Sequence, residues 1–200
     1  MKFFAPVLLA ALLAAPLSAI AIDTGRPAPA FRARDADGKP VTLADLRGKT
    51  VVLEWTNEGC PYVGHMYASG VMQRLQRQAA ADGVVWLTVI SSAPGKQGYL
   101  DGPGVRTWKA RTGAAPADVL LDPAGALGHA YDARTTPDMF VIDPAGRLVY
   151  AGAIDDTPST RPGDARTARN YVVLALGALK AGRPISPDLT KSYGCSVKYS

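Results

Sequence analysis

The sequence predicts an α/β fold in which a mixed central sheet is covered by helices on both faces. Short apolar runs rich in β-branched residues alternate with segments of helical period, a turn sequence joins two late apolar runs, and an amphipathic helix follows them. Strands separated by helices are typical of parallel pairing, whereas strands joined by a tight turn pair antiparallel. A sheet built from both kinds of connection is therefore expected to be mixed.

The first 21 residues are expected to be a secretory signal. Lys2 carries the only charge, an apolar run follows from Phe3 to Leu17, and Ala19 and Ala21 place small residues where a signal peptidase reads. Prolines interrupt the run, which leaves it well short of the roughly 20 apolar residues that a membrane span needs. We predict cleavage after Ala21, no membrane span in the mature chain, and a periplasmic or secreted location in a bacterium.

The remaining elements follow from apolar period and turn residues. In chain order they are a segment at 41–46, a buried strand at 50–55, a helix from 61 to about 80, a strand at 84–90, a helix through 108 and 110, a strand at 118–121, a short helix ending at 131, strands at 138–142 and 147–151, and a helix at 167–181. We expect residues 22–182 to form one domain and residues 183–200 to form an extended tail.

The charge pattern argues against a nucleic-acid partner. The net charge is +5, but the basic residues are scattered and none of their runs interleaves with stacking aromatic residues. A solvated basic surface explains this distribution.

Cys60 is the residue most suited to chemistry. It follows the buried strand and precedes Pro61, a residue that favours the first turn of a helix. Unpaired backbone N–H groups and the helix dipole at such a position favour a thiolate over a thiol. Glu58 is expected to oppose this effect by its like charge, and the alternative is a small apolar residue packed at a strand end.

A second marker is the pair Thr136-Pro137, which directly precedes a late apolar strand. A proline there is compatible with a simple turn, or with a cis peptide after Thr136 that presses exposed backbone against the thiol.

In this order, the motifs resemble the redoxin group of the thioredoxin superfamily, which includes the alkyl hydroperoxide reductase/thiol-specific antioxidant family and exported thioredoxin-like reductases. The segments that carry the resemblance are 25–31, 37–39, 43–49, 51–55 and 136–143. The resemblance implies a thioredoxin-like fold, Cys60 as nucleophile, and Thr136 with Pro137 as a backbone clamp. The segments 54–63 and 194–199 also resemble an uncharacterised bacterial subgroup of redoxins.

The departures from the group's patterns are informative. Val63 stands where a dithiol protein has the second Cys of Cys-x-x-Cys. The positions of the peroxide-activating Pro, Thr and Arg of a peroxiredoxin hold Leu53, Asn57 and Pro137. The chain thus resembles a redoxin with one cysteine in its motif.

The second cysteine, Cys195, lies in the tail. We consider three alternatives: a resolving thiol that closes a disulfide with Cys60, a static structural bridge, and a cysteine that does not touch Cys60. A bridge requires Cα atoms within about 7 Å of each other.

Trp55, Pro61 and Tyr62 flank the thiol and are expected to line a substrate groove, although aromatic residues beside a strand end are more often core. No cofactor is expected. The weak metal candidates are Cys60, His65 and His129, for which surface or core histidines are the favoured interpretation.

The sequence therefore predicts an exported thiol-disulfide oxidoreductase or thiol-dependent peroxidase of the antioxidant type. Its expected partners are a disulfide, oxidised-thiol or peroxide substrate and an unknown reducing protein. The alternative is a non-catalytic binding module, or a metal or partner carrier, with a structural disulfide.

Overall fold

The computed structural model describes residues 22–200, so the predicted signal at 1–21 lies outside the described residues. The strands are β1 (Arg32–Asp35), β2 (Pro40–Thr42), β3 (Val51–Trp55), β4 (Val85–Ile90), β5 (Asp118–Leu121), β6 (Thr135–Thr136), β7 (Asp138–Ile142), β8 (Leu148–Gly152) and β9 (Cys195–Ser196). The helices are α1 (Pro61–Ala68), α2 (Val71–Ala81), α3 (Gly102–Thr112), α4 (Ala126–Ala130), α5 (Asp164–Thr167) and α6 (Tyr171–Lys180), with one 3₁₀ turn at Ala44–Leu46.

The central sheet is mixed, as predicted. Its strand order is β2-β1-β5-β4-β3-β7-β8. The inner strands β3, β4 and β5 are parallel, whereas β1, β7 and the two edge strands join antiparallel. A separate two-stranded sheet pairs β6 with β9.

Both faces of the sheet are covered by helices. Successive side chains of a strand point to opposite faces, and β3 follows this rule. Val52 belongs to the core cluster beneath α1, α2, α3 and α6, whereas Leu53 and Trp55 belong to the cluster beneath α4. This arrangement gives the predicted thioredoxin-like α/β fold.

The helix predicted from 61 to about 80 is two helices. Gly70 has φ +74°, a left-handed conformation that cannot continue an α-helix, and it caps α2. Ser69 is the C-cap of α1. The effect is to hold α1 as a short helix directly behind Cys60.

The last predicted helix begins later than its apolar period suggested. Asn170 caps α6, because its side-chain oxygen accepts a hydrogen bond from the Val173 N–H at 3.0 Å. The residues before it form the short helix α5. The strand β1 was not predicted.

The tail crosses the molecule as a strap, here residues 188–199. The strap begins beside β8, where the Ala151 N–H donates to the Asp188 carbonyl and the Thr190 N–H donates to the Ala151 carbonyl, both at 3.0 Å. It ends on α4, where Tyr199 contacts His129. The boundary between domain and tail at residue 182 stays a prediction. Within residues 22–200, no helix has the length and apolar character needed to cross a bilayer.

Candidate active site

Cys60 lies at the junction of β3 and α1. Its N–H donates to the Asn57 carbonyl at 3.0 Å, and its carbonyl accepts from the Gly64 N–H at 2.8 Å. Cys60 is the N-cap of α1, and Pro61 occupies the first helical position, where a missing N–H costs nothing. The thiol therefore sits at the positive end of a helix, but it is only 1% exposed.

The backbone before Pro137 faces this thiol. The Thr136–Pro137 peptide is cis, the alternative that the sequence left open. The Cys60 Sγ–H donates to the Thr136 carbonyl at 3.1 Å. The sequence thus identified two segments that meet in space, although they lie far apart in the chain.

The strap brings Cys195 to the same place. Cys195 lies opposite Thr136 in the β6–β9 pair, and the Thr136 hydroxyl donates to the Cys195 carbonyl at 3.4 Å. Cys60 and the half-buried Cys195 therefore both contact Thr136, and both thiols are free. This proximity eliminates the alternative in which the two cysteines lie apart.

The two thiols have opposite electrostatic character. Burial acts to raise the pKa of Cys60, but hydrogen bonds, chiefly those from the Cys195 thiol and the Val63 N–H, stabilise the thiolate, and the net pKa is lowered. Burial and the contact with Cys60 raise the pKa of Cys195 to about 11. The negative charge of the pair therefore belongs on Cys60, the thiol expected from the sequence to act as the nucleophile.

Two polar side chains of the loop before Cys60, those of Asn57 and Glu58, have partners. Glu58, whose charge was expected to oppose a thiolate, forms an ion pair with Arg111. Asn57 accepts from the Gly59 N–H at 2.8 Å and donates to the Gln97 carbonyl at 3.2 Å. The loop before Cys60 is thus fixed by its neighbours, and the carboxylate of Glu58 has its own counter-ion.

The predicted groove residues do not share one surface. Trp55 is fully buried, packs on Tyr131 and Phe140, and donates its indole N–H to Ser91 at 3.0 Å. It is therefore a core residue and not part of a groove, because its strand position turns it to the face opposite Cys60. Pro61 is exposed, and Tyr62 is half-buried.

A buried carboxyl in β3, the strand that leads to Cys60, was missed by the sequence prediction. Glu54 lies in the middle of β3 and is fully buried. Its side chain accepts hydrogen bonds from Tyr67, Gln76, Trp86 and Thr88 at 2.8–3.2 Å. Burial raises its pKa to about 7 in spite of these bonds. The available signal was an acidic residue inside an otherwise apolar strand.

The contacts that dock the strap on the domain were also missed by the sequence prediction. Tyr193 packs edge-on against Tyr62 with ring centroids 5.6 Å apart, and its hydroxyl donates to Asp155 at 2.6 Å. Gly194 has φ +127°, and a Cβ placed there would lie 2.0 Å from the Thr136 carbonyl oxygen. Only glycine allows the strap to approach β6 this closely. Aromatic residues on both sides of Gly194 and Cys195 were the signal.

The weak metal candidates have other partners. The His65 Nε2 accepts a hydrogen bond from the Ala165 N–H at 3.3 Å, and His129 stacks on Tyr199 with centroids 4.1 Å apart. Among residues 22–200, no group of three or more His, Cys, Asp or Glu side chains is arranged to hold a metal ion.

A thioredoxin-like sheet, a cysteine at a helix start and a cis-proline loop facing the thiol define a redoxin-type protein of the thioredoxin superfamily. The chain belongs to the AhpC/TSA family, which matches residues 24–151.

Three similar proteins agree with this assignment. The thiol-disulfide oxidoreductase ResA of Bacillus subtilis is 27% identical over 135 residues, which cover 64% of this chain and 66% of ResA. The match thus spans just under two thirds of that relative. An uncharacterized conserved protein from Geobacillus kaustophilus is 26% identical with a TM-score of 0.77, over 94% of this chain and 98% of that one. The exposed lipoprotein thioredoxin Etrx1 of Streptococcus pneumoniae is 28% identical with a TM-score of 0.50, over 69% and 95% of the two chains.

Proposed function

We propose that the protein is an exported thiol-disulfide oxidoreductase in which Cys60 attacks the substrate and Cys195 resolves the intermediate. The observation that carries this proposal is the β6–β9 pair, which holds two free thiols of unlike pKa against each other. A pair of cysteines with only a structural role does not need one thiol with a lowered pKa and one with a raised pKa.

The first step is attack on a substrate disulfide. The Cys60 thiolate forms a bond to one sulfur of the substrate, the substrate S–S bond breaks, and the leaving thiolate takes a proton from solvent. Thr136 and Pro137 present backbone to the reacting sulfur, and the Thr136 carbonyl accepts a hydrogen bond from the Cys60 thiol before that thiol loses its proton.

The second step uses Cys195. After its thiol loses a proton to solvent, Cys195 attacks Cys60 Sγ, the mixed disulfide breaks, and the second half of the substrate leaves as a thiolate. The substrate has then gained two electrons, and the protein holds a Cys60–Cys195 disulfide. An external dithiol partner reduces this disulfide and completes the cycle.

A peroxide is the second candidate substrate, because AhpC/TSA is the family that matches. The Cys60 thiolate attacks one peroxide oxygen, the O–O bond breaks, and the other oxygen takes a proton and leaves as water or an alcohol, so that Cys60 becomes a sulfenic acid. The Cys195 thiol then displaces the hydroxyl from Cys60 Sγ, which forms the Cys60–Cys195 disulfide and releases water. The peroxide-activating positions hold Leu53, Asn57 and Pro137, and Leu53 is fully buried. We therefore place the disulfide substrate first.

The proposed location outside the cytoplasm rests on the predicted signal at 1–21 and on the similarity to a relative described as an exposed lipoprotein thioredoxin. Such a compartment permits disulfides to form and persist.

The test is substrate turnover with dithiothreitol as the reductant. Reduction of a peptide disulfide and of hydrogen peroxide is followed for the purified protein and for Cys60→Ser and Cys195→Ser. We expect Cys60→Ser to lose all protein-dependent turnover of the disulfide, and Cys195→Ser to accumulate a mixed disulfide on Cys60 that is visible by mass.

Full turnover by Cys60→Ser would refute the nucleophile assignment. Turnover of neither substrate by the unmodified protein would favour the non-catalytic binding module. Turnover of peroxide alone would make the protein a thiol peroxidase.

A further inference from the structure

We propose that Tyr199 is a positioning residue for the resolving thiol: its side chain, docked on α4, holds the strap in the register that points Cys195 at Cys60. This inference rests on the proposed function, because it assigns the origin of the contact between the two thiols.

Tyr199 occupies a seat that fits its ring closely. The ring stacks on His129 with centroids 4.1 Å apart and an interplanar angle of 25°, and the hydroxyl donates to the Ala133 carbonyl at 2.7 Å. A Cβ at Gly125 would lie 2.7 Å from the ring, and a Cβ at Gly128 would lie 2.3 Å from the hydroxyl oxygen. The two glycines therefore leave the space that the tyrosine fills.

The strap between Cys195 and Tyr199 is held by backbone hydrogen bonds. The Ala93 N–H donates to the Lys198 carbonyl at 2.8 Å, and the Val197 N–H donates to the Arg134 carbonyl at 3.0 Å. Cys195 then pairs with Thr136. Because these hydrogen bonds hold the extended segment, the position of Tyr199 determines the position of Cys195. A shift of one residue along a strand would turn each side chain to the opposite face.

The contacts that the strap makes before Gly194 do not by themselves fix the register of Cys195. Gly194 directly precedes Cys195 and has no side chain that could anchor the strap. The Tyr193 anchor on Asp155 lies before this glycine, whereas Tyr199 lies after it. Tyr199 is thus the aromatic anchor of the segment that carries Cys195, beside the smaller Val197, which packs against the core.

Docking of the strap raises the effective concentration of the Cys195 thiol at Cys60. In the second step Cys195 attacks a mixed disulfide on Cys60, and the fraction of time that the strap is docked sets how often the attack geometry is reached. With the strap undocked, Cys195 is an ordinary tethered thiol.

The experiment measures the equilibrium of the intact chain with glutathione. Two protein thiols and one oxidised glutathione yield the Cys60–Cys195 disulfide and two reduced glutathione molecules, and the equilibrium constant reports the effective concentration directly. The proteins compared are the unmodified chain, Tyr199→Ala, Tyr199→Phe, and Ser200→Ala, an exposed neighbour.

We expect Tyr199→Ala to lower this constant by about tenfold or more. Tyr199→Phe keeps the stacking on His129 and is expected to restore most of it. Ser200→Ala is expected to match the unmodified chain. Val51→Ala, a buried truncation at the far end of β3, controls for general destabilisation, and circular dichroism checks the folding of every variant.

A constant for Tyr199→Ala within twofold of the unmodified chain would overturn the inference, as would an equal loss in Val51→Ala. If the unmodified chain forms no Cys60–Cys195 disulfide, the proposed function itself fails. The two failures are therefore distinguishable.

Discussion

The surroundings of the two cysteines are built in contrasting ways. Cys60 is held by a core strand, a helix and a cis-proline loop, and it is buried on all sides. Cys195 belongs to a two-residue strand in an otherwise irregular strap, and it is half-buried. One thiol is fixed by the fold, and the other is fixed by docking of the chain's last residues onto that fold.

This difference fits the chemistry that we propose for the pair. A nucleophile benefits from rigid placement near groups that stabilise its thiolate. A resolving thiol has to leave space for the substrate and then return, and segments with few buried contacts open most readily. The contrast between a rigid and a docked thiol can be tested from both sides.

The largest effect is expected from Gly194→Ala. A Cβ there would overlap the Thr136 carbonyl, a backbone atom that cannot yield, and the backbone has φ +127°. We expect the strap to lift from β6, and the constant for disulfide formation in the glutathione assay to fall by about tenfold or more.

The matched control is Gly64→Ala, on the side of the rigid thiol. Gly64 lies inside α1, and a Cβ there meets nothing within 4 Å. Alanine is the better helix former, so we expect unchanged or slightly raised stability and an unchanged glutathione constant. Equal losses in both glycine variants would contradict the contrast.

The next effect concerns the buried carboxyl of Glu54 in β3. Burial raises the pKa of Glu54 from 4.5 to about 7, so the folded chain binds more protons than the unfolded chain between these values. Stability therefore falls as the pH rises through this window, and Glu54 accounts for about 3 kcal/mol of the fall. Glu54→Gln is expected to remove that part of the slope in urea unfolding at pH 5 and pH 8.

The pH slope does not vanish in this variant, because burial likewise raises the pKa of Asp138 to about 7. Parallel stability curves for Glu54→Gln and the unmodified chain would show that Glu54 titrates normally.

A smaller effect is expected from Cys195→Ala. The Cys195 thiol donates a hydrogen bond that lowers the pKa of Cys60, so its loss is expected to raise that pKa. The measurement is the pH profile of iodoacetamide labelling on the Cys60 peptide, read by mass spectrometry. Cys195→Ser keeps a hydroxyl donor and is expected to shift the profile less, whereas identical profiles for all three proteins would contradict the assigned contact.

The smallest effect is expected from Arg111→Ala. The Arg111 side chain is 63% exposed, and its partner Glu58 is 30% exposed. Ion pairs of this kind contribute less than about 1 kcal/mol, so urea unfolding is expected to change little. A large loss would mean that the surface around Cys60 also fixes it.

The core of the fold was predictable from the sequence because local patterns encode it. The apolar runs gave the inner strands within a residue or two, and Asp138–Ile142 and Asp118–Leu121 agree at both ends. The position of Cys60 at a strand-to-helix junction follows from the same local signals. Local periods also misled where one residue changes the backbone, as Gly70 does between α1 and α2.

The docked half of the site was not predictable in the same way. No pattern in residues 183–200 says which surface they cover, because their contacts are with residues distant in sequence, such as Thr136 and His129. The burial of Trp55 was ambiguous for a related reason. A strand residue beside a reactive cysteine points to either face of the sheet, and the neighbouring strands decide which face is packed.

The most direct test of the central claim is a thiol count and disulfide map of the full chain before and after one equivalent of oxidised glutathione. We predict two free thiols at the start and a single Cys60–Cys195 bridge afterwards, which dithiothreitol reverses. Two thiols that stay free, or a bridge that is present from the start and resists mild reductant, would contradict a redox couple between the rigid and the docked cysteine.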